Sequence, residues 1–259
     1  MTESVADVRP AVVLLHSSMS SRSQWAALMA EHEAAFRFIA LDLLGYGKAP
    51  FPDPSQHAAF SLAHEVDALL AALTEHLDVR QPFHLVGHSY GGATALRLAR
   101  TVPERIRSLT VFEPVAFHLL DETDPGRVEV TAIVADINAS TSAEAGTRTF
   151  IDYWNGPGAF DALPAQLRDR FTAQVAKVKL DFVALLGEPA TLRDMTAIGV
   201  PALVLSSRHG PASTRNVAER LVTALPHAST LQTAGGHMAP VTHAPEVNRE
   251  IVQFLSAQP

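Results

Sequence analysis

Gly87-His88-Ser89-Tyr90-Gly91 sets a serine between two glycines, after a short apolar run at 83–86 and before an Ala- and Leu-rich stretch at 93–100. The run reads as a buried strand and the stretch as a helix, so the serine falls on the turn that joins them. Such a turn is tight and strained. Its glycines let neighbouring backbone come close, and the serine hydroxyl is left exposed at the carboxyl end of the strand. The helix behind it offers unpaired N–H groups and partial positive charge to a developing oxyanion. The chemistry expected of Ser89 is nucleophilic attack. A serine hydroxyl is a poor nucleophile until an imidazole takes its proton, and that imidazole needs a carboxylate on its far nitrogen. The chain has twelve histidines. None pairs with another at H-x-x-x-H or H-E-x-x-H spacing on a helix, so no metal site is expected. His237 is set apart by Gly235-Gly236 before it and by its place after the last expected strand.

Buried strands are expected at 11–15, 36–41, 83–86, 108–112 and 202–206, with a less apolar, alternating strand at 229–233 suited to an edge. Helices are expected at 21–33, 61–77, 93–100, about 215–225 and from Pro245 onward. Alternation of this kind indicates a parallel sheet covered on both faces by helices, an α/β fold with right-handed crossovers. Ligands of such sheets bind beyond the carboxyl ends of the strands, where Ser17, Ser18, Asp42, Ser89 and Glu113 share one rim. Between 117 and 195 the pattern changes to helices alone, at about 126–140, 142–154, 164–186 and 189–195, separated by Pro and Gly breakers. The chain thus divides into a first core part at 1–116, a helical lid at 117–195 and a second core part at 196–259.

Of 259 residues, 47% are apolar and 18% charged, which describes a globular protein with a sizeable core. The net charge of −7 is scattered, and the twenty Lys and Arg make no basic stripe, so nucleic acid is not an expected partner. The absence of cysteine removes disulfides and thiolate chemistry. No apolar run approaches the ~20 residues of a membrane helix, and Glu3, Asp7 and Arg9 interrupt any leader-like segment. A cytoplasmic protein acting on a small molecule, without membrane contact, is the expectation.

Four motifs in order, each at a strand end, resemble the α/β-hydrolase family: Leu14-Leu15-His16 with Trp25 downstream, Asp42-Leu43-Leu44-Gly45-Tyr46-Gly47, Gly87-His88-Ser89-Tyr90-Gly91-Gly92, and Gly235-Gly236-His237-Met238. The resemblance covers nearly the whole chain. It implies an α/β-hydrolase fold with an inserted helical lid and a Ser–acid–His triad needing no cofactor. Ser89 matches the nucleophile and His237 the general base. The backbone N–H groups of Ser18 and Tyr90 match the oxyanion hole. His16 is expected to brace the oxyanion loop, and Asp42 to bond loop N–H groups. Met19, Phe117, Trp154 and Met238 are expected pocket walls, with most other lid aromatics forming lid core.

Three departures stand out. Ser17 occupies a position where the family usually has Gly. The ten residues before Ala11 are too few for the family's opening antiparallel hairpin, which is therefore expected to be missing. The strand at 36–41 then lies at an edge, covered by the lead-in or by a second copy of the chain, so a homodimer is one expectation. Finally, the register after 202–206 puts Gly210 where the acid usually stands. Some family members carry the acid after the preceding strand, which here is Glu113 in Phe112-Glu113-Pro114. Glu113 is the expected acid. The function this implies is serine hydrolysis of a small to medium, mostly apolar ester-like substrate. C–C bond hydrolysis, acyl transfer, perhydrolysis and a non-turnover binding module stay open on the same parts.

Overall fold

The computed structural model describes residues 8–258. Six strands form one sheet: β1 (Ala11–Leu15), β2 (Arg37–Leu41), β3 (Phe83–His88), β4 (Ile106–Phe112), β5 (Ala202–Ser207) and β6 (Ala228–Thr233). Their order is β2-β1-β3-β4-β5-β6, and every pairing is parallel. The helices are α1 (Ala26–His32), α2 (Leu62–Leu73), α3 (Tyr90–Thr101), α4 (Pro125–Ala139), α5 (Ala143–Asn155), α6 (Ala165–Thr172), α7 (Val175–Leu186), α8 (Leu192–Met195), α9 (Ala212–Ala224), α10 (Ala239–Thr242) and α11 (Ala244–Ser256). None of them is long and apolar enough to cross a membrane.

Strand periodicity sorts the core into two layers. Val12, Leu14, Val86, Leu203 and Leu205 point to one face, where Trp25 and Leu28 meet Val247, Ile251 and Leu255 of α11. Ala11, Val13, Leu15, Leu85 and Val204 point to the other, where α2, α3, α9 and the α4–α8 segment pack. A strand covered on both faces has no need of polar positions, which is why β1 and β3 are buried along their whole length. The edge strand β6 alternates with polar residues and is mostly exposed. The other edge is β2, as expected, and Arg37 N–H donates to Pro10 O at 2.9 Å. The remainder of the expected lead-in, residues 1–7, lies outside the described residues.

Strand order reverses at β1, whose two neighbours are β2 and β3. Such a switch point opens a crevice between the loops after β1 and β3, where ligands of parallel sheets bind. Those loops carry Ser17–Ser18 and Ser89.

The α4–α8 segment lies between β4 and β5. One helix boundary there differs from expectation. The helix expected over 164–186 is two, because the chain turns after Thr172 through bonds from Ala173 N–H to Asp169 O (3.0 Å) and Gln174 N–H to Phe171 O (2.9 Å). The turn separates two unlike surfaces. α6 buries no residue, whereas α7 buries Val175, Lys177, Val178, Leu180, Asp181 and Phe182. α9 also starts earlier than the expected position of about 215, at Ala212 with Pro211 as its N-cap.

Candidate active site

Ser89 stands between β3 and α3 with φ 55° and ψ −118°, a strained conformation for a residue with a β-carbon, costing on the order of 1–3 kcal/mol. The flanking glycines make the turn possible. A β-carbon on Gly87 would sit 2.8 Å from the Gly91 carbonyl carbon, and one on Gly91 2.7 Å from that of Leu15. Gly91 N–H in turn donates to His16 O at 3.1 Å, which ties the turn to the loop after β1. Among the described residues, the non-glycine residues with positive φ are Met19 (57°), Ser89 (55°) and Glu113 (40°). All three occupy loops at the carboxyl ends of strands, and backbone strain of this kind concentrates at functional sites.

The structure brings Ser89, His237 and Glu113 into one hydrogen-bonded line. Glu113 Oε2 and His237 Nδ1 are 2.7 Å apart, and His237 Nε2 and Ser89 Oγ 2.9 Å apart. With Glu113 ionised, Nδ1–H donates to the carboxylate, which leaves Nε2 free to accept the Ser89 proton. The other carboxylate oxygen, Oε1, accepts from Ser207 N–H at 2.8 Å and from Ser207 Oγ–H at 2.5 Å. Burial pushes the Glu113 carboxyl up, but the bonds from His237 and Ser207 outweigh it and hold the group below the usual carboxylate range. All three relay residues are buried, with Ser89 the most exposed at 5%.

The loop after β1 is held from several sides. His16 Nδ1–H donates to Ser17 O at 2.7 Å, and Nε2 accepts from Leu43 N–H at 3.0 Å, the bracing role expected of it. Burial lowers His16 to about 4, so the ring is neutral. Ser17, the departure from the family pattern, is accommodated because its N–H and hydroxyl both donate to Gln24 Oε1, at 3.1 and 3.0 Å. Asp42 accepts from Arg22 N–H (2.7 Å) and Lys48 N–H (3.0 Å), a structural role. His88 packs beside His237 with ring centres 5.2 Å apart and donates from Nε2–H to His237 O at 2.9 Å. Burial lowers it to about 3.

Ser18 and Ser89 border a cavity of about 340 Å³ whose apolar walls include Met19, Phe150, Trp154, Phe171, Met238 and Val241. Tyr90 is the first residue of α3 and does not border this cavity with its side chain. Trp154 lies against His237, ring centres 3.9 Å apart and planes at 24°. It borders both the main cavity and a second of about 390 Å³ beside Tyr153 and His209, as do Asn155, His237, Met238 and Thr242. The fourth expected wall residue, Phe117, lines a different space, a recess of about 10 Å³ also bordered by Ser18, Ser89 and Phe182. Sequence reasoning missed Ser207, and it placed Phe150 and Phe171 in lid core although they border the cavity. It also missed three buried charges, Glu65, Lys177 and Asp181. Glu65 lies on the apolar stripe of α2 with Leu62, Val66 and Leu69, and a charge at such a position is the signal that could have found it. Lys177 and Asp181 face each other one turn apart and carry no such local signal.

The fold thus joins a parallel sheet to a strained serine at its switch point, hydrogen-bonded through a histidine to a buried carboxylate. Residues 10–244 match the family model described as alpha/beta hydrolase fold, and the chain belongs to that family. It is 34% identical over 108 residues to "Probable lysophospholipase BODYGUARD 1" of Arabidopsis thaliana, covering 40% of this chain and 22% of that protein. It is 33% identical over 114 residues to "Pimeloyl-[acyl-carrier protein] methyl ester esterase" of Aeromonas salmonicida (strain A449), covering 44% of this chain and 41% of that one. The matched segments therefore span less than half the length of these relatives. The enol-lactonase from Burkholderia xenovorans LB400 superposes with a TM-score of 0.77 over 98% of this chain and 94% of that chain. At 20% identity, that likeness is one of fold.

Proposed function

We propose that this protein is a serine hydrolase that cleaves a small to medium, mostly apolar ester through an acyl-enzyme. The observation that carries the reading is the continuous line Ser89 Oγ–His237 Nε2 and His237 Nδ1–Glu113 Oε2, at 2.9 and 2.7 Å. In this mechanism Ser89 Oγ forms a bond to the ester carbonyl carbon as its proton passes to His237 Nε2. The carbonyl oxygen takes up the negative charge and is held by the Ser18 and Tyr90 N–H groups. Collapse breaks the carbon–oxygen bond of the leaving alcohol, which receives the proton from His237. Water then attacks the acyl group, giving its proton to the same nitrogen, and Ser89 is regenerated. Glu113 keeps the imidazole in the required tautomer and stabilises it when charged.

The apolar walls of the cavity favour an apolar substrate, and the relative named as a methyl ester esterase favours an ester. The segment 117–195 serves as a lid, since Phe150, Trp154 and Phe171 from it border the cavity. C–C bond hydrolysis, acyl transfer and perhydrolysis share the first step and are told apart by their products. The test is a panel of p-nitrophenyl esters of rising chain length. Turnover is expected for wild type and its loss for Ser89→Ala; p-nitrophenol release that survives Ser89→Ala removes the reading.

A further inference from the structure

Lys177, on α7 in the inserted segment, is fully buried with its ammonium among aromatic rings: Nζ lies 4.8 Å from the ring centre of Tyr46, 5.0 Å from that of Phe60 and 4.7 Å from that of Tyr90. It donates to Glu65 Oε1 at 2.9 Å and forms an ion pair with Asp181 one turn along its own helix. Neither carboxylate spends its remaining oxygen on the insert. Asp181 Oδ2 accepts from Ser18 Oγ–H at 2.6 Å and Tyr46 OH at 2.5 Å. Glu65 Oε2 accepts from Leu44 N–H at 3.0 Å, and Oε1, shared with Lys177, also accepts from Tyr90 OH at 3.0 Å. The result is an unbroken chain, Ser18–Asp181–Lys177–Glu65–Tyr90. Its two ends are the side chains of the two residues whose N–H groups are read as the oxyanion hole.

We propose that Lys177, with Asp181 and Glu65, is a positioning device that fixes the distance between the Ser18 and Tyr90 N–H groups. The inference rests on the reading of those groups as oxyanion donors. Three further features support it. A buried ionic cluster is seldom the most stable filling for a core, because desolvation offsets much of the attraction, so stability alone does not account for it. The loop it holds is strained: Met19, directly after Ser18, has φ 57° and needs an external hold to stay there. The anchoring helix also belongs to the segment that walls the cavity, so the donors are set from the substrate-binding side of the molecule. Oxyanion donors act only where the developing charge will sit, and a displacement on the order of 1 Å costs a large share of their effect.

The test removes the tethers and spares the donors. Ser18→Ala and Tyr90→Phe each lose the side-chain hydroxyl and keep the backbone N–H. In each, kcat for a p-nitrophenyl ester is expected to fall about tenfold with KM within about twofold. Affinity for a trifluoromethyl ketone, whose hemiketal oxygen needs the same donors, is expected to fall in proportion. Ser18→Thr, which keeps a hydroxyl, is expected to recover most of the loss. Lys177→Met supplies the third arm if it folds; the two hydroxyl variants decide the matter if it does not. A wild-type kcat and ketone affinity in folded Ser18→Ala and Tyr90→Phe overturn the proposal. So does a lowered melting temperature with kcat and ketone affinity unmoved, which marks a purely structural cluster. An enzyme whose turnover survives Ser89→Ala fails the parent reading instead, and wild type with Ser89→Ala is measured first for that reason.

Discussion

Glu113 and Gly210 compete for one space. A β-carbon built on Gly210 runs into Glu113 Oε1 and comes within 3.0 Å of Ser207 Oγ. Position 210 is where the family pattern puts the acid, so the carboxylate arriving from the end of β4 fills the volume that a side chain at 210 would need. With Glu113 in place, a side chain at 210 fits only if that carboxylate shifts.

Gly210→Ala is therefore expected to disturb the relay by pressing on the Glu113 carboxylate, with all three relay residues unchanged. Glu113 is fully buried and bonded on both oxygens, so it cannot swing aside and keep His237. Steady-state kinetics on a p-nitrophenyl ester are expected to show kcat reduced at least about tenfold, with KM little changed. Unaltered kcat in the folded variant means the carboxylate has room that the geometry denies it.

Glu113→Gln keeps the shape and removes the charge. The amide can accept from Ser207 through its oxygen and must then face His237 with an N–H. That forces the imidazole to carry its proton on Nε2, toward Ser89, where a lone pair is needed. A fall in kcat on the order of 10³- to 10⁴-fold follows, by analogy with the same change in other triads. Near-normal kcat removes Glu113 from the relay.

Much of this was legible in the chain. Continuous apolar runs fix buried parallel strands, because a strand covered on both faces needs no polar position, and Ser89, Glu113 and His237 then fall at strand ends. The absence of a carboxylate at 210 pointed toward Glu113, but the reason for the absence is spatial and needed coordinates. The split between α6 and α7 had no proline or glycine to announce it; it depends on which residues the core accepts. Lys177 and Asp181 read locally as an i, i+4 pair of the kind found on solvated helix faces. Only the long-range contacts to Glu65, Ser18 and Tyr90 show that they are buried.

Trp154 stacked on His237 provides the next expectation. In the proposed mechanism its ring face lies against the imidazolium formed during attack, a contact of about 1 kcal/mol. It also borders both cavities. Trp154→Ala is expected to lower kcat roughly fivefold and to shift the chain-length optimum of the ester panel upward as the space its ring fills beside both cavities opens. An unchanged optimum means the second cavity takes no part in binding.

His16 and His88 are lowered by burial from 6.5 to about 4 and about 3. In the unfolded chain both take up a proton below 6.5. Each therefore contributes stability that is complete above that pH and declines as pH falls toward the folded value, by up to about 1.4 kcal/mol per pH unit. Glu65 and Asp181, whose carboxyls burial raises, act in the opposite direction, so the ring signals are the cleaner readout. Nitrogen-resolved NMR is expected to show both rings neutral at about pH 5. Titration of either ring near 6.5 contradicts the burial described.

The most direct test of the account is covalent labelling with a fluorophosphonate, located by peptide mass spectrometry and timed in wild type and His237→Gln. One label per chain is expected, on Ser89, with the rate reduced at least about a hundredfold in the variant. A label on another residue, or a rate that His237→Gln leaves unchanged, contradicts a serine activated by this histidine.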